Sequence, residues 1–164
     1  MADTRLGTIA DGVTAWLNHP DRAWGLVFTA AVEWNPVERL DDLAAGLIVE
    51  VVPDHPIEAD EPGENSTRGM ETQQFALTIG VRQRYDTATS TGAVPRAWIE
   101  ARALIGERIL NELGDVELSG QPDGVTVKVE SVSLDGMLVD SPTLYESRTV
   151  VTIIDIVCLE QRER

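Results

Sequence analysis

Gln74-Phe75-Ala76-Leu77-Thr78-Ile79-Gly80-Val81-Arg82-Gln83-Arg84-Tyr85 sets Phe75, Leu77, Ile79, Val81 and Tyr85 two apart, with Gln74, Thr78, Gly80, Arg82 and Arg84 between them. Side chains alternate faces along an extended chain, so the first set meets a core and the second faces away from it. The stretch is the clearest strand in the sequence. One apolar sheet face needs a layer against it, and the next segment supplies one. Pro95 opens a helix over 95–113 whose Trp98, Ala101, Ile105, Ile109 and Leu113 form a stripe, and Gly114 stops it.

Working outward, Asp3 or Thr4 caps a first helix with Leu6, Ile9, Val13, Trp16 and Leu17 on one face, ended by His19-Pro20. The run 23–34, dense in Val, Phe, Trp and Ala, reads as a strand. Asn35-Pro36 gives an N-cap and a first-turn proline for a short helix through Leu40 and Leu43, which Gly46 stops. Residues 47–52 are almost all apolar between Gly46 and Pro53, which suits a strand. In 54–71, Asp54, Glu58, Asp60, Glu61, Glu64 and Glu71 face only Arg68 among prolines and glycines, the composition of a long acidic loop.

The last third reads as β-rich. Gln121-Pro122-Asp123-Gly124 is turn chemistry between a short 116–118 run and a strand over 125–134. Asp140-Ser141-Pro142 belongs to a connection. A final strand over 145–159 is apolar on both faces: Val151, Ile153, Val157 and Leu159 on one, Val150, Ile154, Ile156 and Cys158 on the other. The expected fold class is α+β: a mainly antiparallel, mixed sheet with helices packed mostly on one face, in a single domain over 1–164.

Composition narrows the functional classes. The 164 residues are 43% hydrophobic and 25% charged, as in a folded globular domain. With 28 acidic residues against 13 Lys plus Arg, the net charge is -15, which does not suit a phosphate-gripping surface. No apolar run approaches the ~20 residues that span a bilayer, and 1–20 lacks the basic-then-apolar order of a signal peptide. Synthesis in the cytosol without membrane insertion is the expectation.

Catalytic chemistry finds little support. His19 and His55 have no second metal ligand at useful spacing. Cys158 lies in an apolar strand, where a thiol behaves as a small hydrophobe. The sequence holds no Gly-x-Ser-x-Gly elbow, P-loop or dinucleotide fingerprint. Pro122-Asp123 before Lys128 suggests a metal-dependent nuclease core, but the acidic position two before the lysine holds Thr126. The acidic loop lacks EF-hand spacing. Asn65-Ser66-Thr67 has the form of a glycosylation acceptor without a secretory signal beside it. The expectation is a non-enzyme with no catalytic residue, cofactor or metal.

The order of elements resembles that of the tail terminator, or tail completion, proteins of long-tailed bacteriophages and their structurally related neck proteins. The features that carry the likeness are the opening amphipathic helix, the 35–43 helix running into the 47–53 strand, the Arg-containing polar loop, the 75–85 strand, the 98–113 helix and a closing strand pair. The resemblance implies a homo-oligomeric ring, typically a hexamer, that caps the tail tube, ends its polymerisation and joins the tail to the head. Its partners would be the tail tube protein and a head–tail connector protein, with DNA passing through the lumen without specific binding. The setting would be the virion, assembled in the bacterial host cytoplasm. Two alternatives stand beside it: a head-completion or neck connector protein of related fold, and a small acidic ligand-binding protein or enzyme.

Within that frame Asp60, Glu61, Glu64 and Arg68 of the acidic loop are interface candidates, ordered against a neighbour or the tube. Arg82 and Arg84, on the polar face of the clearest strand, are candidates to meet an acidic surface of another subunit.

Overall fold

The computed structural model describes residues 4–34, 46–57, 70–85 and 93–163. The elements run α1 (Arg5–Leu17), β1 (Ala31–Val32), β2 (Ile48–Ile57), β3 (Met70–Arg84), α2 (Arg96–Glu112), β4 (Val125–Leu134), α3 (Ser141–Ser147) and β5 (Thr149–Glu163). Among the described residues the strands form one mixed sheet in the order β1-β2-β3-β5-β4. Only β1 and β2 are parallel; the other neighbours are antiparallel. The fold is α+β, as the sequence implied.

The β3–β5 pair is the spine. It stays in register over 15 positions, from Met70 opposite Glu163 to Arg84 opposite Thr149. Phe75, Leu77, Ile79 and Val81 are buried on one face with Ile154, Ile156 and Cys158 of β5. Both long helices cover this face: Ile9 and Val13 of α1 and Ile105 and Ile109 of α2 belong to the same core cluster. Trp98, expected in that stripe, is half-buried at the rim, where Tyr85 meets it edge-on at 5.1 Å.

Residue Gly106 fixes how closely α2 approaches β5. A Cβ there would lie 2.7 Å from Thr152 Cγ2 and 3.2 Å from Leu138 Cδ1. Thr152 cannot turn aside freely, because its Oγ1 donates to the Leu138 carbonyl at 2.6 Å. Gly106→Ala therefore sets a better helix former, worth ~1 kcal/mol, against overpacking of ~1–3 kcal/mol. A net loss of up to about 2 kcal/mol is expected, read as a lower urea midpoint at unchanged slope.

Three expectations need correction. The 23–34 run is not one strand; only Ala31–Val32 pairs. The Asn18 amide takes the role of a strand partner at Ala30, accepting from its N–H at 2.7 Å and donating to its carbonyl at 2.9 Å. Gly25 turns the chain at φ +81°, and the Trp24 indole donates to the Leu17 carbonyl. The segment is thus wrapped around the end of α1 instead of extended. Secondly, the final strand does not begin at Tyr145. Asp140 caps α3 by accepting from the Thr143 N–H, Pro142 lies in its first turn, and Arg148 ends it in the left-handed region. β5 starts after that stop and runs on to Glu163.

Thirdly, the expected loop over 54–71 neither starts at Asp54 nor reaches Glu71, because Asp54–Ile57 belong to β2 and Met70–Glu71 to β3, and 58–69 lie outside the described residues. A bulge at Asp54 absorbs the irregularity between Pro53 and His55. Pro53 and Pro56 lie past the end of β1, where among the described residues β2 has no neighbour on one side and a missing N–H breaks no ladder bond. The short 116–118 run contributes a single bridge, Glu117 to Lys128. It still shields the margin of β4: Leu118 N–H donates to Val127 O, and Val129 N–H to Val116 O. Beyond that, β4 bulges at Glu130. The short helix expected over 36–43 lies outside the described residues.

Candidate assembly surface

The sheet face opposite α1 and α2 carries the odd-numbered residues of β5 and the even-numbered residues of β3. Val151, Val157 and Leu159 are half-buried there, and Ile153 is 37% exposed, opposite Gly80. Polar pairs border this apolar strip. Thr78 Oγ1 lies 3.1 Å from Asp155 Oδ1, and Gln74 reaches Glu130 on β4 at 2.5 Å. Neither long helix covers the strip, which is why a strand expected to be apolar on both faces is fully buried on only one.

The structure engages Arg82 inside its own chain. Its guanidinium donates to the Glu50 carboxylate across β2 and β3, and each side chain is only 11% exposed. The alternation placed Arg82 on the correct face, but the Glu50 partner depended on a register that no local pattern encodes. Arg84 lies on the same face, half-buried opposite Thr149. Asp60, Glu61, Glu64 and Arg68 are outside the described residues.

Two sets of residues missed in the sequence lie at opposite ends of the β3–β5 spine. At the Gln73 end, Glu160 is 1% exposed. It accepts from Arg5 Nε at 2.8 Å on one oxygen and from Arg162 Nε on the other, while Arg5 Nη2 reaches Gln121 Oε1 at 3.3 Å. Beside this cluster is a cavity of about 410 Å³ lined by Thr4, Arg5, Leu6, Trp34, Pro56 and Phe75, among others. Trp34 is 57% exposed, whereas Trp16 and Trp24 are buried. Its ring lies against Gly7 of α1, where a Cβ would approach Trp34 Cζ2 to 3.4 Å. At the other end, α3 has no buried residue, and Tyr145 is 85% exposed.

The residues weighed for chemistry are not gathered. His55 pairs with Asp54 at 3.1 Å and His19 with Asp21 at 3.8 Å, both near the surface and far apart in the chain. Among the described residues no group of three His, Cys, Asp or Glu could hold a metal ion. Cys158 is buried, and desolvation pushes its thiol from the ordinary 9.0 up to about 12. It is a core residue without nucleophilic character at neutral pH. Among the described residues no helix is long and apolar enough to cross a membrane.

No family model matches the sequence, and no curated protein does. Among solved structures, one chain bearing no functional name aligns over 96% of this chain and 92% of its own length, at 10% identity and a TM-score of 0.45. At that level of likeness two chains need share neither a family nor a function.

Proposed function

We propose that the protein is a non-enzymatic virion component of the tail-terminator type, a ring of identical subunits that caps a phage tail tube, ends its growth and joins the tail to the head. The observation that supports this reading best is the partly exposed apolar strip of β5, Val151, Ile153, Val157 and Leu159, on the sheet face that neither long helix covers. A neighbour laid on this face would bury the apolar surface that the subunit by itself leaves open. Closed contacts between unlike surfaces produce a ring whose size is finite.

Charge sets the conditions for association. At -15 per chain, six copies carry about -90, so apolar contact must overcome long-range repulsion. Association is therefore expected to strengthen from low to moderate salt, the reverse of a protein gripping DNA. An acidic lumen would let DNA pass without holding it.

Sedimentation across a salt series, with and without purified tail tubes, tests the proposal. Expected are a closed oligomer and stoichiometric capping of tube ends without added nucleotide or metal. Binding to a purified portal or adaptor ring in place of tube ends would transfer the reading to the neck connector. A chain that stays monomeric at every salt and concentration and binds neither partner overturns both.

A further inference from the structure

We infer that the cleft between the last turn of α1 and the 117–119 segment binds a small zwitterion, a carboxylate with an ammonium group beside it, of which a free α-amino acid is the simplest form. This goes beyond the ring reading and does not depend on it. The cleft has a volume of about 180 Å³, room for about six waters. Its base is fixed at Gly12, where a Cβ would come within 3.1 Å of Leu118 Cβ and 3.2 Å of the Ser119 carbonyl oxygen.

The wall on the α1 side carries the cation. Arg22 Nε donates to the Trp16 carbonyl at 2.9 Å, and its Cζ lies 3.5 Å from the centre of the Trp16 ring. Bond and stack together hold the guanidinium in place, while Nη1 and Nη2 have no partner among the described residues. Although the chain has 28 acidic residues, none of the described ones forms an ion pair with Arg22. Glu112, whose charge it feels, is held by Arg108 at 3.1 Å. Burial lowers the Arg22 pKa from its ordinary value, and the pull of Glu112 offsets that only in part. A half-buried guanidinium with an open fork is a seat for a carboxylate, which accepts two parallel N–H bonds. His19 stands on the same wall. Its Nδ1 accepts from the Asp21 N–H at 3.3 Å, which leaves Nε2 as a second donor.

The other wall carries the anion. Glu117 and Ser119 are exposed there. Glu117 bridges to Lys128 through the backbone, yet the Lys128 ammonium goes to Asp115 at 3.2 Å, so the Glu117 carboxylate has no ion pair among the described residues. Opposite charges thus line one small cleft without pairing with each other. A simple carboxylate placed at Arg22 would meet the field of Glu117, and a dianion such as phosphate would meet it twice over. A bare amine at Glu117 would meet Arg22. A ligand that carries both charges on neighbouring atoms satisfies both walls, and the cleft selects it by what it repels as well as by what it holds. Ala15 and Leu118 leave an apolar margin for a small side chain.

L-Alanine titrated into the full chain, with the Trp16 indole and His19 imidazole signals followed by NMR, tests the assignment. Expected are saturable shifts of both at millimolar L-alanine. Acetate and ethylammonium should bind at least about tenfold more weakly, and inorganic phosphate should have no effect. Arg22→Gln should weaken L-alanine binding at least about tenfold. Glu117→Gln, at an exposed position, should keep the wild-type melting profile and bind L-alanine no better than acetate. Should Arg22→Gln lose its fold with the stack on Trp16, Glu117→Gln decides alone. The inference is overturned if L-alanine gives no saturable shift, if acetate binds as tightly, or if Glu117→Gln binds L-alanine like wild type. None of these outcomes touches the ring reading, which sedimentation decides separately.

Discussion

Ile105→Asp is expected to abolish the cooperative unfolding transition, leaving a chain without stable tertiary structure at 25 °C. Ile105 is 0% exposed, within the cluster that joins α1, α2 and the sheet. Losing the aliphatic side chain removes ~2–5 kcal/mol, and an aspartate placed there without a partner adds several more whether it ionises or stays protonated. The sum is of the order of the whole stability of a domain, ~5–15 kcal/mol. Leu104, one position earlier and 47% exposed, is the control. Leu104→Asp should stay within about 0.5 kcal/mol of wild type. Circular dichroism melts of the two variants decide the matter: if Ile105→Asp melts like wild type, the helix does not pack as described.

Glu160→Leu is the second large effect, and its logic is electrostatic. Glu160 is 2% exposed at its side chain and holds Arg5, 25% exposed, and Arg162, 43% exposed. Arg162 can turn to water when the carboxylate is lost. Arg5 is tied into the end of the core, and its Nη1 already has no hydrogen-bond partner among the described residues. Removing the carboxylate should cost about 3 kcal/mol, most of it the penalty of a desolvated guanidinium. Arg5→Met with Glu160→Leu removes both charges and should return to within about 1 kcal/mol of wild type. A urea double-mutant cycle measures the coupling; single losses that merely add would show that the pair carries no interaction.

What the sequence disclosed was local. Alternation over 75–85 identified β3 and its buried face, the stripe from Ile105 to Leu113 identified α2, and Gln121 to Gly124 with the pattern after it bounded β4 at Val125–Leu134. Each signal lies within a few residues of its effect. What stayed hidden depended on distance along the chain. Arg5 and Glu160 are 155 residues apart, and Arg82 finds Glu50 only because β2 and β3 pair with Ile48 opposite Arg82. The wrapped 23–30 segment depends on the Asn18 amide, whose two bonds to Ala30 no composition reveals. α3 was different: Asp140, Pro142 and Thr143 form a legible helix start, and the apolar residues after it drew the reading to a strand. Tyr145 was invisible as a surface feature, because it was read as the start of the final strand.

The treatment of the sheet margins has a consequence for any larger object built from this chain. Around Pro53 and Pro56 a strand laid alongside β2 would meet ring carbons where it needs N–H donors, and around Val127 and Val129 the backbone is already engaged by 116–118. Main-chain ladders are indifferent to sequence and can be extended without limit, which is how fibres grow. A subunit that withholds its backbone at these places leaves recruitment to the shapes of its side chains. Shapes can be satisfied and used up, and copy number then becomes a property written into the surface, not left to concentration.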